Sequence, residues 1–273
     1  MTYPAGTIER WAWDYVTTTN LAHKLAPPAP PRSFADRAEP LRLTIPGRPS
    51  ELRVTARAPK SPGPDAMRAP ERRAALVHTF LHHELQAAEL MCWAVLAFPG
   101  TPEAFRSGLV GIARDEVRHM ALYAEHLGAL GSRVGAFPVR DWFWERIPLA
   151  ASPAHFVAAI GMGLEGANLD HAARFAERFR AVGDERGAAI EERIGAEEVP
   201  HVRFALTWFE RFTGTIDFAT WARHLPPPLS PLMMRGNPLD REARLAAGFP
   251  PAFVDALQRW RPDDEPARTS GPA

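Results

Sequence analysis

The chain has 273 residues, a formal net charge of zero and 46% hydrophobic residues, which is enough for one sizeable core with extensions at its ends. Zero net charge excludes the strong basic field that marks many proteins that bind nucleic acids or membrane surfaces. The single cysteine, Cys92, excludes an intrachain disulfide, and no apolar run is long enough to span a membrane. With no secretory signal pattern at the start, these features predict a cytoplasmic protein with no membrane partner.

The first part of the chain, residues 1–66, is predicted to form an N-terminal extension. Apolar residues between 7 and 24 favour a short amphipathic helix, and PPAPP at 27–31 makes a stiff break. Alternating apolar residues between 41 and 57 predict a small β-hairpin, and a second proline-rich linker then leads into the main domain.

The middle of the chain, residues 67–214, predicts an all-α fold. The apolar spacing predicts helices from about 70 to 98, from 101 to about 128 or 131, from 153 to 182 and from 184 to about 214, with glycine or proline at the boundaries. A long connection at 129–152 separates two helical hairpins. A short loop, one long crossover and a second short loop are typical of the ferritin-like four-helix bundle.

After residue 214 the pattern breaks into shorter helical stretches. Residues 215–262 are predicted to form a C-terminal helical extension that packs on the bundle, as a cap or as a lid, and 263–273 are predicted to be disordered.

Acidic residues and histidines recur at similar spacings in the predicted helices. Glu84 lies in an apolar stripe, and Glu116-x-x-His119 follows 32 residues later; Glu165 is followed 33 residues later by Glu198-x-x-His201. Positions i and i+3 share a helix face, so one helix offers a carboxylate and an imidazole to the same ions. Chance alone gives about 0.7 Glu-x-x-His matches in such a chain, so the repeat and not the motif carries the prediction.

Four carboxylates bring about four negative charges, which two divalent ions would neutralise. The pattern therefore predicts a binuclear metal site. The predicted metal ligands are Glu84, Glu116, His119, Glu165, Glu198 and His201.

Two acids precede the ligands directly in sequence. Asp115 and Glu197 are predicted to hold the ligating imidazoles from outside, although a solvated acid beside a buried one is the alternative. Five residues beyond Glu84 and Glu165, the acids Glu89 and Asp170 are predicted to be solvated.

Tyr123 lies four residues after His119, on the same predicted helix face. One interpretation makes it a core residue whose hydroxyl finds a local acceptor. The other places its hydroxyl near the metals, where it hydrogen-bonds a ligand or is oxidised during O₂ activation. The same offset is seen in the ribonucleotide reductase small subunit, which the chain resembles at this point alone.

Four segments carry a further resemblance: HHELQAAEL (82–90), DEVRH (115–119), LEGANLD (164–170) and RGNPLDREARLAAGF (235–249). Over about residues 40–260 the chain resembles an uncharacterised ferritin-like family related to the bacterial tRNA hydroxylase. DEVRH is also similar to the Asp-Glu-x-Arg-His signature of di-iron monooxygenases and desaturases. The resemblance implies that the six predicted ligands hold two iron ions, with Asp115, Arg118 and Glu197 around them. Pro200 stands where a second Arg would complete the symmetry.

These features together predict a di-iron oxidoreductase that activates O₂ to oxidise or hydroxylate an organic substrate. Manganese or a mixed iron–manganese pair suits the same oxygen and nitrogen ligands. The alternatives are a ferroxidase, a peroxide-handling protein and a metal-binding protein without turnover. A reductant is the expected partner, and the substrate is a small molecule or a modified nucleoside. The resemblance leaves tRNA open, and the net charge gives it no support.

Overall fold

The computed structural model describes residues 3–57 and 62–262. This part of the chain is helical and contains no β-strand, only two isolated bridges, so the all-α prediction is confirmed. Its helices are α1 (Ile8–Thr17), α2 (Leu21–Leu25), α3 (Pro70–Ala97), α4 (Glu103–Ala129), α5 (Pro153–Ala159), α6 (Gly166–Arg180), α7 (Glu185–Thr213), α8 (Phe218–Arg223), α9 (Arg241–Ala247) and α10 (Pro251–Arg259).

Four long helical segments form the body of the molecule. They are α3, α4, a third segment that runs from α5 to α6, and α7. The helices α3 and α4 form one hairpin and α6 and α7 form another, while α4 also contacts α7. The crossover, residues 130–152, joins the two hairpins, as its length in the sequence predicted.

Local sequence signals explain where these segments begin and end. Ser152 and Asp184 cap α5 and α7, each accepting a hydrogen bond from the backbone N–H three residues on. The helix α7 ends at Thr213 and is followed by Gly214, whose φ is 81°. Thr101, at the predicted start of the second long helix, does not cap α4. Its hydroxyl donates to Phe98 O at 2.7 Å, and α4 begins two residues later at Glu103.

The predicted hairpin at 41–57 is wrong. Its two apolar stretches pair with other elements: Leu41 N–H donates to Leu96 O at the end of α3, and Thr55 N–H donates to Val139 O in the crossover. The last carbonyls of a helix need partners from outside the helix, and the segment supplies one of them. Within the segment, Leu52 N–H donates to Pro49 O, which closes a turn and does not start a two-stranded ladder.

The N-terminal extension covers the outer side of α3, so this helix is buried on nearly every side between residues 84 and 97. The predicted solvation of Glu89 is wrong, because this fully buried carboxylate contacts Lys24 Nζ at 2.7 Å and Arg48 Nη1 at 2.5 Å. Trp144 of the crossover also donates to it at 2.8 Å. The buried charge of Glu89 is tolerated because two cations and a hydrogen-bond donor contact its carboxylate.

The C-terminal extension is fixed to α6 through Asp170, which was also predicted to be solvated. Asp170 is buried and pairs with the fully buried Arg244 at 2.7 Å. It also accepts hydrogen bonds from the backbone of Gly236 and Asp240. The predicted disordered tail, 263–273, lies outside the described residues. Within them, no helix has both the length and the apolar character that crossing a membrane requires.

The third segment is not one regular α-helix as predicted. A π-helical turn, Ile160–Glu165, separates α5 from α6. Gly161 and Gly163 permit close contacts at this turn, since a Cβ at Gly161 would lie 2.4 Å from Ala205 Cβ of α7. Such turns are frequent at functional sites, and this one ends at Glu165, a predicted ligand.

Candidate metal centre

Two groups of buried donor atoms meet between the four segments. In the first, Glu84, Glu116, His119 and Glu198 each offer one atom, and these atoms lie within 4.8 Å of one another. In the second, Glu116, Glu165, Glu198 and His201 do the same. Glu116 and Glu198 belong to both groups. The structure therefore brings together all six residues that the sequence singled out, in two overlapping sets that share two carboxylates.

Each of the four segments contributes to the cluster. Glu84 lies in the middle of α3, and Glu165 closes the π-helical turn of the third segment. The i and i+3 spacing puts each remaining pair on one face of its helix, α4 or α7. His119 Nδ1 lies 3.0 Å from Glu116 Oε2, and His201 Nδ1 lies 3.2 Å from Glu198 Oε2. Both imidazoles thus turn Nδ1 towards the carboxylates.

The outer nitrogens of the two imidazoles are held by acids of the opposite helix. His119 Nε2 of α4 lies 3.0 Å from Glu197 Oε2 of α7, and His201 Nε2 of α7 lies 3.1 Å from Asp115 Oδ2 of α4. The half-exposed Arg118 donates to both acids, at 3.4 Å to Glu197. The predicted outer residues therefore form a crossed pair joined by one guanidinium. Such contacts fix the orientation of a ligating imidazole.

Apart from Glu191, whose partner is a tyrosine, the buried carboxylates outside the cluster in the described ranges are paired with an Arg or Lys. Glu9 pairs with Arg106, Asp184 with Arg73, and Glu89 and Asp170 have the partners described above. Within the described ranges, none of the four glutamates of the cluster contacts an Arg or Lys, although each is at most 7% exposed. Both carboxylate oxygens of Glu165 are buried without a hydrogen-bond partner. The cluster therefore has a deficit of positive charge, and its donor set fits metal ions.

The pKa values reflect this deficit. Burial, followed by the charge of Glu116 for Glu84 and of Glu198 for Glu165, raises the pKa of both carboxyls well above the usual range. Burial acts in the same direction on Glu116, but the adjacent imidazoles outweigh it and lower its pKa. The pKa of His119 is raised, because the neighbouring carboxylates outweigh the effect of burial. Metal ions would displace the protons held in this way, so we expect metal binding to weaken as the pH falls.

A cavity of about 360 Å³ adjoins the cluster. It lies between α3 and the third segment, and side chains of the crossover and of the turn Pro231–Met234 cover it. Its floor includes the four glutamates of the cluster, and Asn168 there donates to Glu198 Oε1 at 3.1 Å. The remaining lining residues are Phe80, His83, Ala87, Tyr123, Trp142, Phe143, Ile160, Leu164, Ala167, His171, Arg174, Phe175, Glu191 and Met233.

Tyr123 lines this cavity, and its hydroxyl donates to Glu191 Oε1 at 2.8 Å. Glu191 is not one of the six predicted ligands, so this bond corresponds to the local acceptor of the first interpretation. Burial raises the pKa of Glu191 to about 8, although the bond from Tyr123 lowers it. Glu191 is therefore mainly a neutral carboxylic acid at pH 7.

The sequence model of one family covers almost the whole described fold. It matches residues 8–255 and is described as "Protein of unknown function (DUF455)". The chain belongs to this family. The match extends from α1 into α10 and includes all six residues of the cluster. An "Uncharacterized protein" of Haemophilus influenzae is 26% identical to the chain over 205 residues, which is 70% of each sequence. No solved structure matches the chain. The suggested relation to the tRNA hydroxylase stays a prediction.

Several residues of this site were not predicted from the sequence of this DUF455 family member. Glu191 lies seven residues before Glu198 on α7, and Tyr123 lies seven residues after Glu116 on α4. Seven residues are about two helical turns, so Glu191 and Tyr123 share the helix faces of Glu198 and Glu116 and face each other two turns away from them. This spacing was a usable signal. His83, His171 and Arg174 had no such signal, because only the fold shows that they face a cavity.

Proposed function

We propose that the chain is a ferritin-like oxidoreductase that holds two iron ions and activates O₂ to oxidise an organic substrate. The observation that carries the proposal is the pair of overlapping donor sets, which share Glu116 and Glu198 and contact no Arg or Lys of residues 3–57 and 62–262. Two helical hairpins joined by one long crossover support a ferritin-like assignment.

The donor atoms suggest a role for each ligand. Glu84 and His119 would hold one ion and Glu165 and His201 the other, and Glu116 and Glu198 belong to both donor sets. Iron bound there would supply the electrons that reduce O₂, and manganese fits the same donors. Asp115 and Glu197 would keep both imidazoles turned towards the ions, with Arg118 holding the two acids together.

In the hydroxylation that we propose, one atom of O₂ enters a C–H bond and the other leaves as water. The balance needs two electrons and two protons, so a reductant is the expected partner. Glu191 holds a proton at the cavity wall at pH 7, because burial raises its pKa to about 8. Its Oε1 accepts a hydrogen bond from the Tyr123 hydroxyl. We assign Glu191 the role of keeping a proton available at the wall of the cavity in which a substrate would bind.

The cavity favours an organic substrate over ferroxidase or peroxide chemistry. Iron and peroxide need only a narrow route to the metals. A space of about 360 Å³ with an aromatic wall instead falls within the size range of sites for small organic molecules.

Metal analysis and O₂ reactivity test the proposal. We expect about two ions per chain in the wild type and fewer in Glu116→Ala and Glu198→Ala, while Glu177→Ala, an exposed acid on α6, keeps two. Stopped-flow absorbance after mixing the ferrous protein with O₂ should show oxidation of the metal. Full loading of the Glu116→Ala, Glu198→Ala double variant would disprove the ligand set, and a ferrous protein that did not react with O₂ would leave only metal binding.

A further inference from the structure

The wall of the cavity is aromatic on both sides. Phe80 of α3 packs edge-on against Phe175 of α6, with ring centroids 4.8 Å apart. On the covering side, Phe143 of the crossover stacks on His83 at 5.0 Å and is flanked by Trp142. Phe80, Trp142 and Phe143 remain partly exposed because they face this space. An aromatic or other flat apolar ring is the group that such walls bind best.

The volume limits the size of the ligand. A cavity of about 360 Å³ lies near the lower end of the volume range of sites for small organic molecules, about 300–1,000 Å³. Such a cavity has room for one ring with a short side chain. A polymer would not fit inside.

The charges in the cavity differ between its floor and its wall. The floor carries the glutamates of the metal cluster, and Arg174 is the one Arg or Lys that lines the cavity within the described residues. The imidazole of His171 does not add positive charge to the wall at neutral pH, because burial lowers the pKa of His171 to about 4.

Arg174 has no acidic partner in the described part of the chain. It donates to Asn237 O at 3.3 Å and lies over the Phe175 ring at 5.3 Å, while its buried Nε has no hydrogen-bond partner. Arg178 lies over the same ring at 5.3 Å, which places a second cation beside it. Asp170 is engaged by Arg244. The guanidinium of Arg174 is thus available to an anion that enters the cavity.

Arg174 and the metal cluster both line the cavity but are separated along the chain. Arg174 lies nine residues after Glu165, which is about 13 Å along a helix axis. Because Arg174 is the one Arg or Lys of the lining among the described residues, the carboxylate of an anionic ligand is expected at that end, with the rest of the molecule extending towards the cluster.

We propose that the substrate is a small carboxylic acid with a single ring. Its carboxylate pairs with Arg174, and its ring lies between Phe80 and Phe175 on one side and Trp142 and Phe143 on the other. The far end of the ring then points at the metal cluster. The inference rests on the proposed function for the reaction, but the binding step can be tested without turnover.

Fluorine NMR of two matched probes tests the inference. The probes are 4-fluorophenylacetate and its neutral isostere 4-fluorophenylacetamide, titrated with metal-free and with anaerobic ferrous protein. We expect the wild type to bind the acid at least about tenfold more tightly than the amide, because a guanidinium–carboxylate bond is stronger than a neutral one. Arg174→Gln should weaken binding of the acid by about tenfold and leave the amide unchanged.

Two further variants serve as controls. Arg174→Lys keeps the charge without the planar fork and should lose less affinity for the acid than the Gln variant. Arg211→Gln removes an exposed arginine that also lies over an aromatic ring, Trp208 at 4.6 Å, but does not line the cavity. It should bind both probes as the wild type does, and circular dichroism checks that every variant is folded.

The inference is overturned if neither probe binds, if the acid and the amide bind equally, or if Arg174→Gln binds the acid as well as the wild type does. Failure of the proposed function would give a different result. In that case the protein would not load metal or react with O₂, while the acid would still bind the metal-free protein and lose affinity in Arg174→Gln.

Discussion

The substitution Glu165→Gln tests whether the Glu165 carboxyl serves to bind metal or to stabilise the fold. Both carboxylate oxygens of Glu165 are buried without hydrogen-bond partners, and burial raises the pKa of this carboxyl well above its ordinary value. Burial therefore favours the neutral form of this side chain in the metal-free protein. Glutamine has the same shape, is also neutral and leaves polar atoms unpartnered in the same place. We expect the free energy of unfolding of metal-free Glu165→Gln to lie within about 1 kcal/mol of the wild-type value.

The two proteins should differ once metal is added. An ion at 100 times its Kd stabilises the folded chain by about 2.7 kcal/mol, which raises Tm by roughly 5–10 °C in a protein of this size. Glu165→Gln removes a charged donor from the second group but leaves Glu84 and His119 of the first. The variant should therefore lose about half of the metal-dependent increase in Tm and bind about one ion per chain.

Differential scanning calorimetry with and without Fe²⁺ under anaerobic conditions measures both quantities, and elemental analysis gives the stoichiometry. Glu177→Gln, a change of the same kind at an exposed position of α6, is the matched control and should retain the full increase in Tm. If metal-free Glu165→Gln lost several kcal/mol, the carboxyl would be a structural group. If the metal-dependent increase were unchanged, Glu165 would not be a ligand.

Four further predictions concern the surroundings of the cluster. Burial raises the pKa of Glu191 to about 8 in the folded chain, whereas in the unfolded chain it is near the ordinary value of 4.5. As the pH rises from 4.5 to 8, the unfolded chain loses this proton before the folded chain does, so the free energy of unfolding of the metal-free wild type should fall by at most about 5 kcal/mol. Urea unfolding of Glu191→Gln should lack that component, and identical pH dependence in both proteins would contradict the burial argument. Arg118→Gln should keep two ions per chain but bind them about 10–100-fold more weakly in chelator competition; unchanged affinity would mean that the outer contacts are incidental. Tyr123→Phe should keep full metal content, and electron paramagnetic resonance at pH 7 should show no tyrosyl signal in the wild type, because the acid that accepts the phenol hydrogen bond is already protonated; a signal that the variant lacks would establish a redox role. Gly161→Ala should destabilise the fold by about 1–3 kcal/mol in thermal unfolding, since its Cβ would lie 2.4 Å from Ala205 Cβ, and an unchanged Tm would show that the contact relaxes freely.

The six residues of the cluster were predictable because helical geometry is local. Once 3.6 residues make a turn, Glu116 and His119 must share a face, and the same holds of Glu198 and His201. The remaining requirement was that the faces meet. The two-hairpin pattern, with its long connection predicted at 129–152, indicated this from spacing alone.

Features that depend on contacts between distant segments were not predictable. The alternation at 41–57 has the period of a strand, but its partners are the end of α3 and the crossover, so no hairpin forms. The π-helical turn before Glu165 is a second example. Its glycines permit a close approach by another element, and only the fold shows that Gly161 faces Ala205 and that Gly163 faces Met234.

Glu89 and Asp170 show most clearly what sequence could not decide. Each lies five residues beyond a predicted ligand and is buried as deeply as the ligands are. What differs is the source of positive charge. Lys24 and Arg48, from the N-terminal extension, neutralise Glu89, and Arg244, from the C-terminal extension, neutralises Asp170. Each cation lies 41 or more positions away in the chain, so no local pattern distinguishes a carboxylate that the chain neutralises itself from one that needs an ion from solution. The extensions therefore contribute to the assignment of the centre, because the carboxylates that they leave unpaired are the ones that face each other between the four helical segments.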